Sequence, residues 1–177
     1  MKKMFNGRRA NYSADAGTLR TCMEFAEVAT ACFNRPCEAE TFMEYLRDGC
    51  TFTAMGGVLT GSNKEKIIGF AVFQKNDRYI ELISFGVHPD FQNHGLGRQM
   101  LQSFVKKADA EQLNILTSIS EGDVAARKIL SSLGFEILRS KREMRAGIPV
   151  ECHYLHYRCQ SPANVFISMD GYVSIAK

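Results

Sequence analysis

The apolar positions change their rhythm along the chain, and each change predicts a different element. Between Asp15 and Phe33 a stripe of Leu19, Cys22, Met23, Ala26, Ala29, Thr30 and Phe33 recurs at i, i+3 and i+4, which predicts an amphipathic helix. "PCEAETFMEYLRDG" (36–49) follows, with Pro36 near the start and Gly49 past the end of a second helix. The period then shortens. "CTFTAMGGVL" (50–59), "KIIGFAVFQ" (66–74) and "RYIELISFGV" (78–87) are rich in β-branched and aromatic residues, with "GSNKEK" and "KND" as turns between them. Such short connections predict an antiparallel meander.

Helical spacing returns after Gly97, where Leu96, Met100, Leu101, Phe104 and Val105 form one stripe. "LNILTSIS" (113–120) reads as a buried strand, and "DVAARKILSSLGF" (123–135) as a short helix with Asp123 as N-cap and Gly134 as its stop. "FEILRSKREM" (135–144) and "VECHYLHYRC" (150–159) are strand-like. This order predicts an α/β fold, a mixed central β-sheet with helices on both faces. The closing run "NVFISMDGYVSIAK" alternates around Asp170-Gly171, a hairpin signal. Residues 1–160 are therefore read as the domain, and 161–177 as an extension. That extension adds a hairpin to the sheet edge, pairs with a second copy in a homodimer, or forms a tail.

Composition narrows the classes. A chain of 177 residues with 45% apolar and 23% charged content is expected to fold as one globular domain. It has no apolar run of the ~18 residues that a membrane-spanning helix needs. The basic start "MKKMFNGRRANYS" lacks the apolar core of a secretory signal. With a net charge of +3 and no basic stripe interleaved with aromatics, nucleic acid is not an expected partner. The six cysteines form no C-x-x-C pair and only four histidines are present, so no metal site is expected. Free thiols among apolar neighbours suit a reducing cytoplasm.

Candidate chemistry concentrates in "GVHPDFQNHGLGRQMLQSFV", where Gly95 and Gly97 separate a strand from a helix. A helix start leaves backbone N–H groups unpaired and carries about half a positive charge. Glycines let a phosphate reach those groups, and Arg98 adds a cation. The P-loop lysine is absent, and the dinucleotide fingerprint lacks its third glycine. A glycine-rich helix start with no ligand is the plain alternative.

The flanks of this loop resemble the signature of the GNAT superfamily of N-acyltransferases, in which a strand ending in Val-x-Pro leads into Q/R-x-x-G-x-G/A. Here Val87, Pro89, Gln92, Gly95 and Gly97 match, with Arg98 next. A second block, a strand followed by a short helix ending in "LGF", resembles "NILTSIS…DVAARKILSSLGF", and the likeness covers roughly residues 8–160. The resemblance implies the GNAT fold and acetyl-CoA as co-substrate, lying between splayed strands "ELISFGV" and "NILTSIS". It further implies that Phe85, Gly86 and Val87 pair with the pantetheine arm. The pyrophosphate would rest on Gln92, Asn93, His94, Gly95, Leu96, Gly97 and Arg98. Asp123 stands where relatives carry an asparagine touching the cofactor; its plain reading is N-cap.

Acyl transfer to an amine needs a neutral nucleophile, and a lysine-like amine is neutral at pH 7 about once in 2,500 molecules, a cost of about 4.6 kcal/mol. Glu81 is the candidate base. It lies eleven residues before Gln92, the spacing of a general-base glutamate in the histone-acetyltransferase branch, and alternation puts it on one face with Ile83, Phe85 and Val87. A backbone N–H near Val87 is the candidate oxyanion donor. Where many relatives carry a tyrosine that protonates the leaving thiolate, this chain has Leu130, read as core. His88 and His94 flank the loop; His153 and His156 read as structural, and Tyr154 and Tyr157 as minor candidates for a donor. The function implied is an N-acetyltransferase acting on a small-molecule or peptide amine by direct attack. The alternative is a non-catalytic acyl-CoA-binding module.

Overall fold

A computed structural model describes residues 16–58, 65–145, 147–159, 165–167 and 173–175. Helices α1 (Ala16–Phe33) and α2 (Ala39–Arg47) precede strands β1 (Thr51–Val58), β2 (Glu65–Lys75) and β3 (Tyr79–Val87). A 3-10 turn (Pro89–Phe91) leads into α3 (Leu96–Ala110), followed by β4 (Asn114–Ser120), α4 (Val124–Ser132), β5 (Glu136–Arg145) and β6 (Ile148–Tyr157). Short strands β7 (Val165–Ile167) and β8 (Val173–Ile175) pair antiparallel as a separate two-stranded sheet. Asp170 and Gly171, where the hairpin turn is expected, lie outside the described residues.

The six-stranded sheet has the order β1-β2-β3-β4-β6-β5. β1 and β2 are antiparallel, β3 and β4 parallel, and β6 pairs antiparallel with both β4 and β5. The sheet is therefore mixed, as expected. The sequence pattern did not reveal that β6 inserts between β4 and β5, because strand order is decided by long-range pairing that periodicity does not encode. Two compact units share these elements: one takes the chain up to Gln74 with Ser84–Met100, the other Lys75–Ile83 with the chain from Leu101 onward.

In the first unit the core is aromatic. Phe25 of α1 lies 5.1 Å from Phe52 of β1 and 5.7 Å from Phe42 of α2, and Phe42 meets Phe70 of β2 edge-on at 5.6 Å. Offset and edge contacts of this kind add about 0.5–1.5 kcal/mol per pair beyond burial. The buried face of α1 is Cys22, Phe25, Ala26, Val28 and Ala29. Leu19, Met23 and Phe33, expected on the apolar stripe, are 46%, 53% and 37% exposed. Phe33 still meets Phe70 edge-on at 6.4 Å, with the Arg35 guanidinium 6.0 Å from its ring. Thr30 is exposed as well, and its Oγ1 accepts the Cys37 N–H at 2.9 Å, tying the chain between the helices back to α1.

β3 is covered from both sides within this unit, because successive strand residues face opposite ways. A Cβ placed on Gly86 would lie 3.0 Å from Cys32 Sγ of α1 and 3.3 Å from the Phe70 ring, so glycine lets the helix seat directly on the strand. On the opposite face Val87 joins Ile68, Phe91 and Leu96 in one buried cluster, with Met55 packed against it. Leu96 thus anchors the start of α3 to the end of β3.

In the second unit Ile80, Leu82, Ile115, Leu155, Leu101 and Leu130 are fully buried. The sharp turn into β3 is held by Asn76, whose Oδ1 accepts the Arg78 and Tyr79 N–H groups at 2.9 Å each. Tyr157 donates its hydroxyl to both oxygens of Asp109 at 3.0 Å, and Asn114 Oδ1 accepts the Cys159 N–H at 3.1 Å.

Candidate functional site

The loop from β3 to α3 is built residue by residue. His88 N–H donates to the Ile68 carbonyl at 2.7 Å, which ends β3 against β2. Pro89 then opens the 3-10 turn in the position where a missing N–H costs nothing, and His88 Nδ1 accepts the Asp90 N–H at 3.3 Å as its cap. Phe91 buries its ring beneath the turn. Gln92 Nε2 donates back to the Val87 carbonyl at 2.9 Å, closing the loop on the strand it came from. The Val87 carbonyl thus accepts one bond from within its own loop.

The backbone then turns through left-handed conformations at Asn93 (φ 61°) and Gly95 (φ 77°). Asparagine tolerates this region and glycine has no penalty in it. His94 Nδ1 lies 2.7 Å from the Gln92 carbonyl; a carbonyl can only accept, so that nitrogen carries the proton. The first bond of α3 runs from Gln99 N–H to the Gly95 carbonyl at 3.0 Å. The amides of Leu96 and Gly97 come before it and have no carbonyl of the helix to bond.

Three features make this helix start suited to an anion. A Cβ built on Gly95 meets nothing within 4 Å, so the approach to the backbone is open. No acidic residue occupies the first turn, while Arg98, an exposed cation, does. A cation there opposes the positive end of the helix dipole unless an anion lies between them. The two glycines divide the work. Gly95 supplies the positive φ, whereas Gly97 is already helical, since α3 starts at Leu96 rather than after Gly97 as the pattern suggested. Gln92, Asn93, His94, Gly95, Leu96, Gly97 and Arg98 are thus brought together with Phe85, Gly86 and Val87 in the first unit. A coenzyme pyrophosphate fits the open backbone and the cation.

The remaining candidates lie in the second unit. Glu81 is exposed, at the beginning of a face that passes through half-buried Ile83 and Phe85 to buried Val87. Asp123 is the N-cap of α4, its Oδ1 accepting the Ala126 N–H at 3.0 Å, as the plain reading of its position expected. Leu130 is 0% exposed and belongs to the core. His153 and His156 are both buried; the first pairs through Nδ1 with Ser140 Oγ at 2.8 Å, the second through Nε2 with Glu136 at 3.3 Å. Tyr154 donates to Glu143, and Tyr157 to Asp109. Burial, and then these carboxylate partners, push both phenols up to about 12. A phenol held in its neutral form this firmly is a poor acid, so neither suits protonation of a thiolate.

Cys32 was not singled out in the sequence, yet its thiol faces β3 at Gly86. Burial, and then the neighbouring Cys37, push it up to about 11. Nothing in the local sequence signals this contact, which depends on how α1 crosses the strand.

Comparison with known proteins is consistent with this geometry. The model of the acetyltransferase (GNAT) family matches residues 22–135. The UPF0157 protein YqkA of Bacillus subtilis (strain 168) is 32% identical over 72 residues, which are 40% of this chain and only 20% of the relative, so the match spans about a fifth of its length. Among solved structures, the ribosomal-protein-S18-alanine N-acetyltransferase of Escherichia coli superposes with a TM-score of 0.71 at 17% identity, covering 92% of this chain and 99% of that one. YncA of Salmonella typhimurium, solved with its cofactor acetyl-CoA, gives 0.63 at 18% identity over 90% and 96% of the two chains. At such identities these two structures establish likeness of fold alone.

Proposed function

Because the chain belongs to the acetyltransferase (GNAT) family, we propose that it transfers an acetyl group from acetyl-CoA to a primary amine, by direct attack of the bound amine. The observation that carries this reading is the start of α3: an open left-handed Gly95, first-turn amides before the first helical bond, and a first turn that holds Arg98 and no acidic residue. Gln92 through Arg98 hold the pyrophosphate, and Phe85, Gly86 and Val87 line the pantetheine. Acetyl-CoA supplies an activated acyl thioester, whose C–S bond breaks as the amide C–N bond forms, so that CoA leaves as its thiolate. The Val87 N–H donates to the acyl oxygen as charge develops there. Glu81 takes the proton that the ammonium must lose, an exposed carboxylate able to act through a water molecule. Asp123 serves α4 as its cap and orients the helix.

A covalent acyl-cysteine route is disfavoured by Cys32. With its pKa pushed up to about 11, only about one molecule in ten thousand carries the thiolate at pH 7. The acceptor is a small-molecule or peptide amine. All six cysteines are free thiols, which suits the cytoplasm as the site of action. Among the described residues no helix is long and apolar enough to cross a membrane.

One observation favours a second reading. The fully buried Leu130 provides no proton donor, which fits an acyl-CoA-binding module without turnover. The two are separated by supplying acetyl-CoA with a pooled amine and peptide library and reading acetylated products by mass. Wild type is expected to give product, and Glu81→Gln to lose turnover while retaining acetyl-CoA affinity. Equal turnover in both proteins would remove Glu81 from the mechanism. Binding without product from any acceptor class would favour the module.

A further inference from the structure

β5 closes one side of the six-stranded sheet, and among the described residues β6 is its one strand neighbour. After an irregularity between Ile137 and Arg139, its register with β6 runs unbroken to Arg145. One bond fixes the direction of its backbone groups. The Glu121 N–H donates to the Glu151 carbonyl at 2.8 Å, so the main-chain groups of Glu151 point toward β4 and away from β5. Arg142 lies opposite Glu151, and bonded and open pairs alternate along an antiparallel ladder. The N–H and C=O groups of Ser140, Arg142 and Met144 therefore point outward from the sheet. Pro149, which has no N–H to give, stands opposite Met144 at such an open pair. All three residues are exposed, and among the described residues nothing bonds these outward groups.

Charge along this edge is unevenly committed. The acids of β5 already bond to β6: Glu136 pairs with His156 Nε2 at 3.3 Å, and Glu143 accepts the Tyr154 hydroxyl. Arg139 stacks on the Tyr154 ring at 4.6 Å. Lys141 and Arg142 are exposed on opposite faces, and among the described residues neither forms an ion pair, although Glu151 stands opposite Arg142. An open edge is a template for another strand. A second copy fits it poorly. Antiparallel registers centred on Ser140, Lys141 or Arg142 set Arg139 against Lys141, Lys141 against itself or Arg142 against itself. Nucleic acid also fits poorly, because the outward carbonyls can only accept and would face phosphate oxygens. An extended peptide has both donors and acceptors, and acidic side chains on its two faces would meet Lys141 and Arg142.

We propose that the outer edge of β5, from Ser140 to Met144, takes up an extended acidic segment of a partner protein as an added strand. Such docking is independent of acyl-CoA.

The test uses the full chain and a fluorescein-labelled Thr-Val-Glu-Glu-Val-Thr peptide. In the free protein, the amides of Ser140, Arg142 and Met144 are expected to exchange about tenfold faster than those of Lys141 and Glu143, which point toward β6. Equal exchange would overturn the outward geometry. Anisotropy is expected to show binding that weakens about tenfold when Lys-Lys replaces Glu-Glu in the peptide, or when the protein carries Lys141→Glu with Arg142→Glu. N-methylation of every peptide amide, which abolishes strand pairing and keeps the charge, is expected to weaken binding about as much. Bound peptide should slow exchange at Ser140, Arg142 and Met144 about tenfold. No binding at millimolar peptide, equal binding of the methylated peptide, or unchanged exchange at these amides would overturn the docking. A dimer of the free chain that protects the same amides would give the edge to a second copy and overturn it too. So would an oligothymidylate that protects them as well as the peptide does.

Discussion

Replacing Gly95 by alanine separates backbone strain from ligand approach. At φ 77° an added Cβ meets nothing within 4 Å, so the variant suffers no clash. Its folding cost is the left-handed penalty of about 1–2 kcal/mol, reduced by the about 0.4–1 kcal/mol that alanine removes from unfolded-chain entropy. A net loss near 1 kcal/mol lowers the melting temperature of a chain this size by about 2–4 °C. The same Cβ would stand where a phosphate must approach the first-turn amides. Loss of one charge-assisted bond there costs about 1.5–3 kcal/mol, which is about ten- to a hundredfold in Kd for acetyl-CoA. The molecule contains its own control. Gly49, in the same compact unit, has φ 78° and equally open space, but it follows α2 and takes no part in the cradle. Gly49→Ala should melt like Gly95→Ala and bind acetyl-CoA like wild type, as read by thermal melts and titration calorimetry. If the two variants bind acetyl-CoA equally well, Gly95 is a turn residue only and the phosphate argument fails.

Other perturbations follow from the packing. Gly86→Ala should cost about 1–3 kcal/mol by overpacking Cys32 and the Phe70 ring, seen as a lowered urea midpoint; unchanged stability would mean that α1 does not sit against β3 as described. Leu130→Tyr, which restores the residue type implied by the resemblance, should lower the melting temperature without raising turnover, because the site is fully enclosed; a gain in kcat would show that this position reaches the reaction centre. The Tyr157 hydroxyl is held protonated up to about pH 12 in the folded protein, against about 10 when unfolded, so its contribution to stability is full below about pH 10 and lost as pH rises from there through about 12. Urea titrations from pH 9 to 11 should show a shallower decline for Tyr157→Phe than for wild type; identical slopes would remove the Asp109 bond from the account.

The fold was legible where neighbours along the chain decide it. The α3 stripe, the Asp123 cap and the burial of Leu130 follow from local spacing, and the structure has all three. The 3-10 turn was missed, although Pro89 after His88 is a helix-start signal; three residues are too few to produce a periodicity. On α1, the pattern predicts a helix and places Cys22, Ala26 and Ala29 on its buried side but misses Phe25, which is held there by Phe42, Phe52 and Phe70. That Gln92–Arg98 form one loop between β3 and α3 was legible because its residues are consecutive. Gln92 bonding back to Val87 and Cys32 on Gly86 were not, because each joins elements that meet only after folding.

The central claim is that the start of α3 receives the pyrophosphate of acetyl-CoA, and amide NMR of the 19.8 kDa chain tests it most directly. On titration with acetyl-CoA, the account predicts the largest shifts at Gly95, Leu96, Gly97 and Arg98, with a second group at Phe85, Gly86 and Val87. Saturation with those amides unmoved, or no shift anywhere at millimolar acetyl-CoA, would contradict it.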